Sequence, residues 1–216
     1  MLGSAAVAMW WDLAPERKAE FEDWHSHEHM PERLAIPGFL RGSRWVALSG
    51  EPSYFVLYEA AKLATITRGA YLQRLNNPTP WSRKLMPHHR NMVRSLCLVR
   101  ASFGACIAQA VATIRFSPSR KPSASLARTL SRVAEKKGVS GAHLLESRSM
   151  AGIRQTTEQK IRGHDAAADW VLLVCGYEVE AVNAAASHFA AQLPNAAAVF
   201  YRLSYTLSAK EFQSRR

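Results

Sequence analysis

The sequence predicts an α+β protein made of two ferredoxin-like β-α-β-β-α-β units whose antiparallel sheets pack into an intrachain α/β barrel. Three observations carry this reading. Apolar runs and turn signals spell out the same order of elements twice within 216 residues. Strand-like segments such as Met9-Trp10-Trp11 and Val171-Leu172-Leu173-Val174 are apolar at both alternating sets of positions, as strands covered on both faces are. Finally, the helices of each unit cover only one face of its sheet. The other face must be buried, and the second sheet of the same chain can bury it.

The elements follow in order. Residues 5–12 form a first buried strand. Pro15 and Glu16 open a helix, a place where a fixed φ and an acidic side chain are both favoured. That helix runs to about residue 29. Pro31 removes a backbone donor and disfavours α-geometry at Met30, so a break or kink is expected there, with one more short turn over 31–35. Pro37-Gly38 is a turn, and 39–48 and 53–60 are strands joined by Ser49-Gly50-Glu51-Pro52. A helix over 62–75, a break at 76–80, a short helix around 81–90 and a strand from 92 to about 103 complete the first unit, 1–104. The second unit, 105–216, has strands at 105–116, 142–149, 170–177 and 197–207. Its helices lie at 122–137, closed by Gly138, and at 178–192. Residues 150–168 are a long, polar, Gly-containing insertion in place of a hairpin turn, expected to be mobile or to cover something. The two halves share element order and little sequence, so duplication rests on topology alone.

The composition excludes several classes of function. No stretch reaches the roughly 18 apolar residues of a membrane span, and the apolar N-terminus lacks a basic lead-in and runs into Asp12, unlike a signal peptide. Cys97, Cys106 and Cys175 show no CxxC spacing and sit in apolar stretches, which reads as reduced core thiols in a cytoplasmic protein. The net charge of +11 invites a nucleic-acid partner, but it is spread out. Residues 1–104 carry 13 basic and 9 acidic side chains and residues 105–216 carry 15 and 8, with no run of five like charges. That describes a diffuse basic surface, compatible with attracting a small anion.

Chemistry is concentrated in Trp24-His25-Ser26-His27-Glu28-His29-Met30-Pro31-Glu32. At 100° per residue Phe21, His25, Glu28 and Glu32 project in nearly one direction, His29 lies further round, and His27 is nearly opposite and solvated. His25 can touch Glu28 and His29 at helical spacing. A carboxylate beside an imidazole suits a general base, although the same pair could merely cap the helix end. His25 and His29 also have the spacing of a helical metal pair, to which His88-His89 could add a third ligand. The HxxEH order and the nearby proline weigh against that.

With the element order, these residues resemble the dimeric α/β-barrel superfamily, in particular its EthD-like members. The resemblance rests on Phe21, Trp24 and His29-Met30-Pro31 at the end of the first helix and on Ile36-Pro37-Gly38-Phe39 entering the second strand. It covers the first half well and the second as topology only, since no His-x-Pro occurs near 123–137. The resemblance implies one pocket near the end of the first helix and a small organic substrate, carbonyl-containing or aromatic. His29 would be the acid/base group, with His25 and Glu28 orienting or tuning it. The reactions it suggests are isomerisation, cyclisation, lyase chemistry or cofactor-free monooxygenation.

Arg41 and Arg44 point to opposite faces of their strand, and one of them could hold a substrate anion. Trp10, Trp11, Trp45, Tyr54 and Tyr58 read as core, and those that face the barrel interior, with Trp10, Trp11 and Tyr58 as the substrate-binding candidates, would shape a pocket for a flat or apolar ligand. No cofactor is required by this reading. Haem or a divalent metal remains an alternative, as does a barrel that only binds ligand or haem, and so does a basic nucleic-acid-associated protein. The expected partner is a small molecule, and the chain would be a monomer or homodimer.

Overall fold

The computed structural model describes residues 1–119, 122, 124–148, 155–163, 165–193 and 196–214. Its strands are β1 (Ala5–Leu13), β2 (Phe39–Ala47), β3 (Tyr54–Ala60), β4 (His89–Gly104), β5 (Ala110–Phe116), β6 (Val139–Ser147), β7 (Trp170–Gly176) and β8 (Ala197–Ser208). They close into one antiparallel barrel in the order β1-β3-β2-β8-β5-β7-β6-β4. The first four strands and the last four each have the ferredoxin-like order. They join edge to edge, Arg41–Ala47 against Tyr201–Ser208 on one side and Cys97–Gly104 against Gly141–Ser147 on the other. The α+β barrel expected from the sequence is present, but its two sheets are hydrogen-bonded into one closed surface and leave no free edge.

The barrel interior is filled. Phe55 lies between Trp10 and Trp45, with ring centroids 5.1 and 5.2 Å away. Ala6, Ala8, Leu57, Val111, Leu145, Leu173 and Tyr201 pack around this stack. The alternate residues of β1 and β3 (Val7, Trp11, Tyr54, Val56 and Tyr58) point outward instead, into a second core beneath the helices of the first half. Outside β5–β8, helices α6 (Ala124–Ala134) and α8 (Val179–Gln192) cover a third core.

The first helix departs from expectation in an informative way. It does not break at Pro31. Helix α1 (Lys18–Trp24) passes into a π-helical turn, His25–His29, and continues as α2 (Met30–Leu34), with Met30 fully helical at φ −67° and ψ −45°. The Met30 N–H donates to the His25 carbonyl five residues back. This widened turn accommodates the proline ring and its missing donor, which a regular helix would not.

Other boundaries shift by a few residues. The predicted helix at 62–75 is divided into α3 (Leu63–Thr67) and α4 (Ala70–Asn76) at Gly69, whose φ of +62° no helix contains. Helix α5 (Pro80–Leu85) and the short 3-10 turn Met86–His88 end earlier than predicted, because β4 already begins at His89. Of the insertion at 150–168, residues 150–154 and 164 lie outside the described residues. The remainder forms α7 (Thr157–Arg162), opened by a Thr156/Gln159 capping box, and a strap at Ala166 that bonds Met92 and Arg94. Among the described residues, no helix is long and apolar enough to cross a membrane.

Candidate active site

The π turn and α2 lie on the outer face of the first sheet, close to β2 and β3. Gly42 permits that approach: a Cβ there would lie 2.8 Å from Met30 Cγ and 2.9 Å from Tyr58 Cε1. Trp11 and Met92 face the helix by the alternation of β1 and β4, and beside them, between Trp10 and Asp12, β1 slips against β4. Asn91, in the left-handed region at φ 53°, bonds Asp12 Oδ2 at 3.0 Å and fixes this irregularity.

These elements enclose a small pocket lined by Met9, Trp11, Trp24, His25, His29, Met86, His89, Met92 and Arg162. Its free volume is about 20 Å³, roughly the room one water needs. Three buried histidines meet there. The His25 and His29 rings are 5.6 Å apart, and Trp24 lies 4.4 Å from His29. His25 Nε2 is 3.2 Å from the Tyr58 hydroxyl. The Nδ1 atoms of His25 and His29 are buried without a hydrogen-bond partner. His89 Nδ1 lies 3.2 Å from the carbonyls of both Leu85 and Met86. Carbonyls only accept, so Nδ1 carries the proton and Nε2 keeps the lone pair.

Burial is the main reason all three imidazoles resist protonation. It holds His89 at about 3 and His25 and His29 well below the ordinary histidine range. Arg44 adds to the effect at His25, Arg33 at His29 and Arg162 at His89. The site therefore combines neutral bases with guanidinium groups close by.

A charged network closes the pocket from the insertion. Arg33 in α2 is 2% exposed and donates to Glu158 in α7, itself 2% exposed. Arg162 pairs with the same carboxylate at 3.6 Å and with Asp165 at 2.8 Å. The Thr157 N–H bonds Asn76 Oδ1 at 3.0 Å. Helix α7 thus covers the end of the histidine site.

The candidates named from sequence are distributed as follows. His25 and His29 line the pocket, and Trp11 and Tyr58 support it. Glu28 turns away from the imidazoles and accepts from Trp24 Nε1 at 3.0 Å and Thr79 Oγ1 at 2.6 Å, so it locks the helix to the start of α5. His27 is exposed and pairs with Asp23. Trp10 belongs to the barrel interior, where Thr113 accepts from its indole. Arg41 and Arg44 do face opposite ways, but neither lines the pocket. Arg41 pairs with buried Glu59, whereas Arg44 fastens α1 through the Glu22 carbonyl and Ser26 Oγ.

Arg33, Glu158 and Arg162 were missed. Arg33 stands four residues after His29, a helical spacing that would have placed it nearby. No local pattern marks its partner 125 residues on. His89, considered only as a metal ligand, does reach the site. Even so, among the described residues the three histidines do not gather their nitrogens as closely as one ion requires; the group whose ligand atoms all lie within 4.8 Å is Cys106, His143 and Cys175.

The chain is a closed eight-stranded α+β barrel with outer helices, built from two ferredoxin-like halves. Known structures place it among similar folds. An anthrone oxidase-like protein superposes with a TM-score of 0.62 at 11% identity, over 96% of this chain and 94% of that one. A proposed monooxygenase from Lactobacillus acidophilus gives 0.59 at 6% identity, over 95% and 97%. A proposed chlorite dismutase gives 0.53 at 10% identity, over 100% and 99%. No protein-family model matches the sequence, and no curated protein does. At these identities the likeness extends to the fold and does not single out the EthD-like branch.

Proposed function

We propose that the chain is a small-molecule enzyme that removes a proton from a weakly acidic C–H or O–H group of an aromatic or carbonyl compound. The observation that carries this reading is the convergence of His25, His29 and His89 as buried, neutral imidazoles, two with an unpaired Nδ1, in one aromatic pocket. A neutral imidazole is the form that accepts a proton. Arg162, which lines the pocket and is shared with Glu158 and Asp165, would hold the enolate or phenolate left behind. Trp11 and Trp24 offer flat apolar walls, which suits an aromatic ligand. His29 is assigned as the base and His25, held by Tyr58, as its neighbour in proton transfer. Isomerisation, cyclisation and cofactor-free oxygenation all begin with such a carbanion or phenolate.

A substrate larger than a water requires α7 to move, since the pocket closes to about 20 Å³. The same closure means that the residues as they stand do not accommodate a haem. A Soret band on haem addition would favour the haem-binding alternative.

The test is exchange of substrate C–H for C–D in D2O, followed by NMR across anthrone-type ketones, β-diketones and naphthols. His29→Ala is expected to slow exchange of a responsive compound by about 10²–10⁴-fold, the usual worth of general base catalysis. Unchanged exchange in that variant would remove His29 from the mechanism.

A further inference from the structure

We propose that Cys106, His143 and Cys175 form a zinc site at one end of the barrel, outside the histidine pocket and independent of its function. The three residues come from separate parts of the chain: Cys106 from the connection between β4 and β5, His143 from β6 and Cys175 from β7. Their ligand atoms all lie within 4.8 Å of one another. Zn–S and Zn–N bonds of about 2.3 and 2.0 Å place tetrahedral ligands roughly 3.5–3.8 Å apart, so small side-chain shifts supply three of the four positions and a solvent-derived ligand takes the fourth.

The surroundings are prepared for it. All three side chains are buried, at 2%, 0% and 0% exposure. Gly104, at φ +68°, and Gly141, whose Cβ would meet the Ala105 carbonyl at 2.2 Å, let the connection fold back onto β6. The His143 ring is fixed from its Nδ1 side by Ser102 Oγ at 2.9 Å, the kind of outer contact that orients a metal-bound imidazole, while Nε2 lies 3.4 Å from the Ala105 carbonyl and must give up that contact and its proton to the metal.

Charge selects the ion. Two thiolates and a neutral imidazole balance a divalent cation, leaving no net charge in an apolar interior. A monovalent ion would leave a buried negative charge. Soft thiolate ligands favour zinc over the hard divalent ions. Both thiols must lose their protons to bind the metal, so binding releases protons and strengthens with pH. Cys97, in the same barrel but outside this group, serves as the internal control.

The experiment uses the full chain, stripped with a chelator under reductant and titrated with Co2+ as an optical probe. The expected result is one Co2+ per chain with thiolate-to-cobalt charge-transfer bands, displaced by Zn2+. Cys97→Ser should retain these bands, and Cys106→Ser and Cys175→Ser should lose them. Should either of those variants fail to fold, zinc-edge X-ray absorption on the wild type decides, with two sulfur scatterers expected at about 2.3 Å. Absence of bound metal, or cobalt bound without charge-transfer bands, would overturn the proposal.

Discussion

His89 shows how one residue links burial, protonation and stability. Its native pKa of about 3 lies below the usual value near 6.5 because burial penalises the cation. The unfolded chain therefore binds a proton that the native chain refuses. Stability from this group is complete above about pH 6.5 and declines as pH falls toward 3. At about 1.4 kcal/mol per pH unit, acidification to pH 4.5 costs roughly 3 kcal/mol for His89 alone. His25 and His29 act in the same direction. His89→Asn keeps a donor near the Leu85 and Met86 carbonyls and removes the titration. Urea unfolding between pH 6 and 4 should therefore show a slope shallower by about one proton in this variant, and an unchanged slope would contradict the neutral-histidine assignment. Residue chemistry was readable for His25 and His29 because both sit in one short run. It was not readable for Glu28, where spacing allowed contact with His25 but Trp24 and Thr79 hold the carboxylate instead.

The π turn places two histidines on the sheet only because the helix can come close, and Gly42 is the residue that allows it. In Gly42→Ala the new methyl group meets Met30 and the Tyr58 ring below 3 Å. Overpacking of this kind costs about 1–3 kcal/mol. The urea midpoint should fall by a matching amount, and Tyr58 should lose its contact with His25. The α7 cap is governed by charge. Glu158→Gln leaves buried Arg33 with only the Glu32 carboxylate, 3.9 Å away, and breaking a buried pair typically costs about 3–5 kcal/mol. Much of that penalty is relieved if α7 detaches, so amides of Thr157–Arg162 should exchange faster with solvent while those of β7 stay protected. Equal protection in α7 would mean that the cap is held by something other than this pair. Proline at position 31 signalled an interruption, but a proline also permits a widened turn, and only packing onto β2 and β3 selects that solution.

At the scale of the whole molecule, the barrel was legible because its strands are apolar on both alternating faces. That same feature hid which face is interior: Trp10 and Trp11 look alike in sequence, yet one fills the barrel and the other lines the histidine pocket. Closure makes the two four-strand sheets depend on each other. Separated from the second half, residues 1–104 would expose Trp10, Trp45 and Phe55, along with the edges of β2 and β4 that otherwise pair with β8 and β6. An unpaired edge beside a large apolar face recruits another copy or aggregates. Expressed alone, residues 1–104 should therefore associate or precipitate. Co-expression with residues 105–216 should yield a soluble one-to-one complex, measurable by light scattering. A monodisperse, cooperatively unfolding monomer of residues 1–104 would show instead that the first sheet is stable without closure, and that the intrachain barrel is an assembly of two independent domains.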